Sequence, residues 1–260
     1  MHVQLLRLAL GLYSVGLVHS VLTVLRRKQT LFKPAVVATL VGFVCHAASI
    51  LLRAYELQSF AFAHFSLFAA LAVLAFLAAY GKYRIQSLGV FSFPVIFVMT
   101  FVANLANYVS RSAIDDMLQS RWSYIHIPVV ILGYVAFFVA FTAAILYLIQ
   151  ERELKSKHVF HNQLPSLEVC DELTYRSLAI GFPLMTLGIL SGALWAQREW
   201  GESWMSNPKI LLTFVTWLVY LILIYYRLIA GWRGKKAAYL AIAGFLGVVV
   251  AFSLSGATFH

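Results

Sequence analysis

Eight apolar runs, each close to twenty residues, constrain this chain more than any other feature. They lie at about 3–25, 34–52, 58–80, 88–108, 125–149, 173–194, 209–226 and 237–256. A helix needs about 20 apolar residues to cross the hydrocarbon of a bilayer. Unsatisfied backbone groups are so costly there that only helices and closed barrels span it. The runs are too long for barrel strands, so the expected fold is an all-α polytopic membrane protein with eight transmembrane helices. Composition agrees: 62% of the residues are hydrophobic and 12% charged, against about 25% charged in a soluble domain. No polar block is long enough for a separate soluble domain, so residues 1–260 are read as one membrane domain.

The first run exceeds the core of a signal peptide and has no small-residue cleavage site before its basic flank, so it is read as a spanning helix. Pro94 and Pro183 fall inside runs and are expected to bend them. Cys45 and Cys170 are far apart, with no metal-type spacing, and are expected to be unpaired.

The net charge of +10 is explained by topology. Alternate connectors, "RRKQTLFK", "GKYRIQ", "ERELKSK" with Arg176, and "RLIAGWRGKK", hold fourteen of the twenty Lys and Arg residues. Cationic loops stay on the cytoplasmic side, so both termini are expected outside, and nucleic acid is not needed as a partner. The external set then includes the connector after Tyr108, the stretch "WAQREWGESWMSNPK" at 195–209, and the end "SGATFH".

The histidines separate by location. His158 and His161 lie in a cytoplasmic connector, His2 is near the first residue, and His19 stands alone in the first run. His126 opens the fifth run and His260 follows the eighth, both at the expected external level of Trp195, Trp200 and Trp204. Imidazoles ligate haem iron and aromatic faces stack on a flat macrocycle. An interfacial aromatic belt explains the same residues equally simply. Arg198, Lys209 and Arg121 share that level and suit carboxylate partners. His46, seven residues before Arg53, and His64, eight after Glu56, form a second candidate pair. Both lie roughly 10–12 Å inside the external surface at helical rise. An imidazole inside a membrane is a functional candidate; two separate packing histidines are the alternative. In the Trp-rich stretch, Gly201 would permit close backbone approach, Asn207 would cap the seventh helix and Pro208 would open it.

"SGALWAQREWGESWMSNPK", the following "TWLVYLILIYYR" and "GWRGKKAAYLAIAGFLGVVVAFSLSGATFH" resemble the tryptophan-rich region of the CcsA/CcmC superfamily of cytochrome c assembly proteins. Trp195, Trp200, Gly201, Trp204, Pro208 and Lys209 match that loop. Trp217 and Tyr220 match the helix after it, and Gly231 to Gly234 match a G-W-R-G turn. "SYIHIPVVILGYVAFFVAFTAAILYLI" resembles the helix that begins with an external haem histidine, here His126. His260 resembles the second such histidine, one position beyond the usual register, and His46 in "CHAASILLR" resembles a transmembrane histidine. The likeness covers about residues 40–260. Ser206, Asn207 and Ile210 stand where relatives carry Trp, Asp and Glu, and "AFAHFSL" replaces a segment with Asn and Glu. These departures favour the HemX-like eight-helix branch.

The resemblance implies a haem-handling protein of a bacterial inner membrane, its Trp-rich loop external. Haem, of the b type, would be held by His126 and His260, with His46 and His64 as a lower site. It also implies a partner, either another assembly protein or a haem-biosynthetic enzyme. No carboxylate pair, nucleophile triad, phosphate loop or CxxC is present, so handover rather than stand-alone catalysis is expected. The competing reading is a regulatory or scaffolding membrane protein acting on haem biosynthesis. A small-solute transporter is a third, disfavoured by few ionisable residues in the helices and by the lack of an inverted repeat.

Overall fold

The computed structural model describes residues 1–26, 32–57, 64–106, 123–156, 164–201, 205 and 208–257. At 24, 57, 106, 123, 124, 198–200, 209 and 252–257 only the backbone is described. These residues form eight α-helices: α1 (His2–Arg26), α2 (Phe32–Leu57), α3 (His64–Tyr83), α4 (Leu88–Ala106), α5 (Ser123–Ser156), α6 (Leu167–Trp200), α7 (Pro208–Ile229) and α8 (Lys235–Ala257). Among the described residues, α1 to α7 are long and apolar enough to cross a membrane. The chain is a multi-pass helical membrane protein.

The helices cluster in two compact units. One comprises α1–α4 with the first turns of α5 (Met1–Ile131) and the segment Phe160–Pro165, the other the rest of α5 with α6, α7 and α8 (Leu132–Val159 and Ser166–His260). In the first unit α1 packs on α2 and α4, and α3 packs on α4 and α2. Small residues admit large ones at these seams: a Cβ on Gly42 would stand 2.9 Å from the Tyr13 ring. Lipid gives helices no hydrophobic reason to associate, so close packing of this kind holds them together. Buried hydroxyls bond to their own helix, as Thr39 does to the Ala35 carbonyl (2.7 Å) and Thr100 to that of Ile96 (2.7 Å). That removes the cost of an unpaired polar group in an apolar interior.

In the second unit α5 is the inner helix. Phe137 stacks on Tyr220 of α7 with centroids 3.8 Å apart, and Phe138 and Phe141 pack on Phe245 of α8. Thr216 faces Gly247 and Tyr220 faces Gly244, so α7 and α8 run antiparallel. Trp217 donates to Thr186 and Arg227 meets Asp171, so α6 and α7 do too. The last turn of α6, the first of α7 and the last of α8 therefore share one end of this unit. The α7–α8 corner and the first turn of α6 share the other. Outward faces are apolar, with Leu211, Val215, Leu218 and Ile222 of α7 exposed as lipid contact requires.

Pro94 and Pro183 lie inside α4 and α6, and Pro208 opens α7 as expected. Asn207 lies outside the described residues. The main departure is α6. Its apolar run ends near residue 194, yet the helix continues to Trp200. Ala196, Gln197, Arg198 and Glu199 are good helix formers and sustain it past the hydrocarbon length. At its start, Ser166 accepts a hydrogen bond from the Val169 N–H (3.3 Å) and Glu168 stands in the first turn.

Substituting Gly244 by Leu should drive a side chain into the Tyr220 ring and cost about 1–3 kcal/mol. Gly11→Ala, with nothing within 4 Å of the added carbon, should not destabilise. Thermal unfolding in detergent compares the two.

Candidate functional site

The site candidates are best built from polar side chains that the apolar helices are obliged to accommodate. In the first unit these form a stripe on α2: His46, Ser49, Arg53 and Glu56, spaced three, four and three residues apart and so on one face. His46 is fully buried. Its Nε2 lies 2.7 Å from Ser66 Oγ of α3, and its Nδ1 3.3 Å from the Tyr13 hydroxyl of α1. The Tyr13 and His46 rings are tilted at 56° with centroids 5.7 Å apart. A neutral imidazole has one donor and one acceptor nitrogen, and two hydroxyls, each able to give or take, satisfy both. The imidazole is thus held by hydroxyls from the two neighbouring helices, with no ion pair to its ring among the described residues.

Further along the stripe, Ser49 donates to the His2 carbonyl (2.7 Å). Glu56 Oε2 lies 2.8 Å from His2 Nδ1, an ion-pair distance although off the line of a hydrogen bond. His64 opens α3 half-buried, its ring 4.3 Å from that of Phe65. His46 therefore meets α3 at Ser66, two positions beyond the histidine expected to pair with it.

In the second unit, Trp195 is half-buried near the end of α6. Arg198 and Trp200 stand on its last turn rather than in a loop, and Lys209 on the first turn of α7; only their backbone is described. Trp204, His260 and Arg121 lie outside the described residues, the last helical residue of α8 being Ala257. His126, half-buried on the first turns of α5, belongs to the first unit. Gly201 ends α6 with φ 59° and ψ −140°, a conformation that side chains resist, and no described atom stands within 4 Å of its missing Cβ. A glycine there lets the backbone stop the helix at positive φ. Trp217 donates from Nε1 to Thr186 Oγ1 (2.9 Å) and stacks on Phe182; it packs α7 on α6. Among the described residues no three His, Cys, Asp or Glu side chains gather as a metal cluster. Cys45 and Cys170 are free.

The G-W-R-G turn is the most elaborate polar feature of the second unit. Arg227 makes a two-pronged ion pair with Asp171, 2.7 Å on each arm. Asp171 Oδ1 also accepts from the Gly234 N–H at 3.0 Å, where α8 begins. Its carboxylate supplies the negative charge that a helix N-terminus favours. The guanidinium lies over the Tyr175 ring (4.9 Å), and Trp232 stacks on Tyr226 at 4.3 Å. Gly231 and Gly234 take φ 63° and 71°, and a Cβ on Gly234 would stand 2.5 Å from the Tyr147 hydroxyl. This corner anchors α7 and α8 to α6. Asp171, Tyr13 and Ser66 were not among the expected site residues. The available signal was a lone polar side chain in or beside an apolar run, with nothing to say which helix would supply its partner.

The comparisons with known proteins bear on both units. A family model described as "Cytochrome C assembly protein" matches residues 35–259. The chain belongs to the cytochrome c assembly protein family. Among its relatives is the "cytochrome c biogenesis protein CcsA" of Guillardia theta, 31% identical over 69% of this chain and 67% of that one. Proteins of the same description from Chlamydomonas reinhardtii and Prochlorococcus marinus (strain MIT 9312) are 40% and 36% identical. They match over 53% and 52% of this chain and 38% and 50% of their own lengths. The chain thus spans two thirds or less of these relatives. No solved structure matches it. The match begins in α2, before His46, and takes in the Trp-rich stretch and the α7–α8 corner.

Two pairs of outcomes follow from these contacts. Asp171→Ala leaves the Arg227 guanidinium, 12% exposed, without its acid, and should cost about 3–5 kcal/mol. Lys155→Ala, which breaks the exposed pair with Glu151, should leave the melting temperature unchanged. Ser66→Ala should cost about 1–3 kcal/mol by stranding a buried imidazole nitrogen. Tyr13→Phe should cost less, because its contact is longer. Thermal unfolding of each variant in detergent checks both statements.

Proposed function

We propose that this protein binds haem within the membrane and hands it on during cytochrome c assembly. The observation that carries the reading is His46: a fully buried neutral imidazole, oriented by two hydroxyls, in a chain of the cytochrome c assembly family. Haem is the cargo. The donor chemistry suits it, because imidazole is a common axial ligand and a ligating histidine needs its other nitrogen held by a hydrogen-bond partner. Tyr13 is placed for that task at Nδ1. Ser66 Oγ lies 2.7 Å from Nε2, so iron ligating that nitrogen would displace this contact.

His126, His260 and the Trp-rich stretch constitute the delivery site in this reading, on the external side assigned by the cationic loops. Support comes from the sequence resemblance and from the order of helix ends. The last turns of α6 and α8 and the first turn of α7 lie at one end of the second unit, so the segments bearing Trp195, Trp200, Lys209 and His260 leave from the same end. Arg198, Lys209 and Arg121 would pair with haem carboxylates there, and Trp204 would add aromatic surface. The partner in this reading is an assembly protein that receives the haem, and the haem is of the b type.

The test is the absorption spectrum of the purified full chain, as isolated and after adding haem. A Soret band is expected, reduced in His46→Ala and in the His126→Ala/His260→Ala variant, and abolished when all three are changed. A colourless protein that does not take up added haem contradicts the proposal. It would favour the scaffolding reading if a haem-biosynthetic enzyme co-purified.

A further inference from the structure

Arg53 is a buried cation that the packing of the first unit leaves unexplained. It is 9% exposed, near the end of α2, on the face that carries His46 two turns earlier. A guanidinium inside a membrane protein is costly unless an acid or a ligand compensates it. The next residue along the stripe is the acid Glu56, whose charge acts on Arg53 in part, but its carboxylate lies against His2, 2.8 Å from Nδ1, and is 49% exposed. Among the described residues no other carboxylate of the first unit is present. Asp115 and Asp116 lie outside them. Ser49, between His46 and Arg53, is turned to the His2 carbonyl.

The separation is informative. Seven residues of helix place Arg53 about 10 Å beyond His46 along the axis, and seven residues return to nearly the same face. That is the scale of a porphyrin measured from its centre to its carboxylate edge. The guanidinium fork is the side chain best matched to a carboxylate. We infer that Arg53 binds a propionate of the haem held by His46. The haem is thereby oriented with its carboxylates toward the Arg53 end of α2 and its apolar edge deeper among the helices. This rests on the haem-binding reading of His46 and adds what that reading lacks: selection for a tetrapyrrole with free carboxylates, and a fixed orientation for it. Arg53 is a cargo-binding residue in this account, since it touches the haem rather than acting through the imidazole.

The experiment uses the purified full chain carrying His126→Ala and His260→Ala, so that only the His46 site is read. It is titrated with haem and with haem dimethyl ester, which has the same iron and macrocycle but no free carboxylate. Binding is followed by the Soret shift that accompanies imidazole ligation. Haem should bind on the order of tenfold or more tightly than the ester, the worth of a charge-assisted hydrogen bond. Arg53→Gln should bring the two affinities together while keeping the ligated spectrum. Arg53→Lys retains the cation and so guards against a folding defect; it should give an intermediate ratio. Equal affinities in the protein with Arg53 intact overturn the inference, as they would if an acid of the chain or a lipid phosphate held the guanidinium. So does an unchanged ratio in Arg53→Gln. A ligated spectrum that persists in His46→Ala, or none in its presence, removes the His46 reading itself, which separates the two failures.

Discussion

Hydrocarbon offers no hydrogen bonds, and the rest of this structure follows from that. The backbone must satisfy itself, so eight long helices form. Side chains face the same rule. Thr39, Thr100, Thr142, Thr174 and Thr216 each bond to a carbonyl of their own helix. Polar groups that cannot do this must find partners on other helices, and so they mark where helices are fastened together or where something binds. In the first unit the fastening is Tyr13–His46–Ser66. In the second it is Asp171–Arg227–Gly234. The first joins an imidazole to two hydroxyls. The second is a charged clamp with two short arms.

Much of the fold was legible because length and hydropathy are nearly sufficient in a membrane. Eight apolar runs became eight helices, and Pro208 opened α7 where a proline without its N–H is harmless. The boundaries were less legible. Hydropathy reports where the hydrocarbon ends, while a helix ends where its backbone is capped. The two differ most in α6, which begins at a Ser166 cap, seven residues before the apolar run, and continues through polar but helix-favouring residues to Gly201. The stretch taken for a tryptophan loop therefore begins as helix, with Trp195 and Trp200 on it.

The candidate site was legible by residue type and less so by partner. His46 stood out as an imidazole in an apolar run. Its expected companion was His64, from a depth estimate that treats helices as rulers. The structure adds Ser66, a partner on α3 that no spacing rule identifies. Tyr13 was invisible for the same reason: one phenol among aromatic and aliphatic neighbours acquires meaning only when α1 lies against α2. Arg53 was read only as a marker beside His46, and its burial gives it separate significance.

The central claim is that the His46 imidazole can ligate haem iron. It is tested most directly by pulsed electron paramagnetic resonance on the ferric haem-loaded chain, in a His126→Ala/His260→Ala background with ¹⁵N-labelled histidine. The account predicts a nitrogen coupling to the iron that changes with the isotope and disappears in His46→Ala. An isotope-independent spectrum, identical with and without His46, would contradict it.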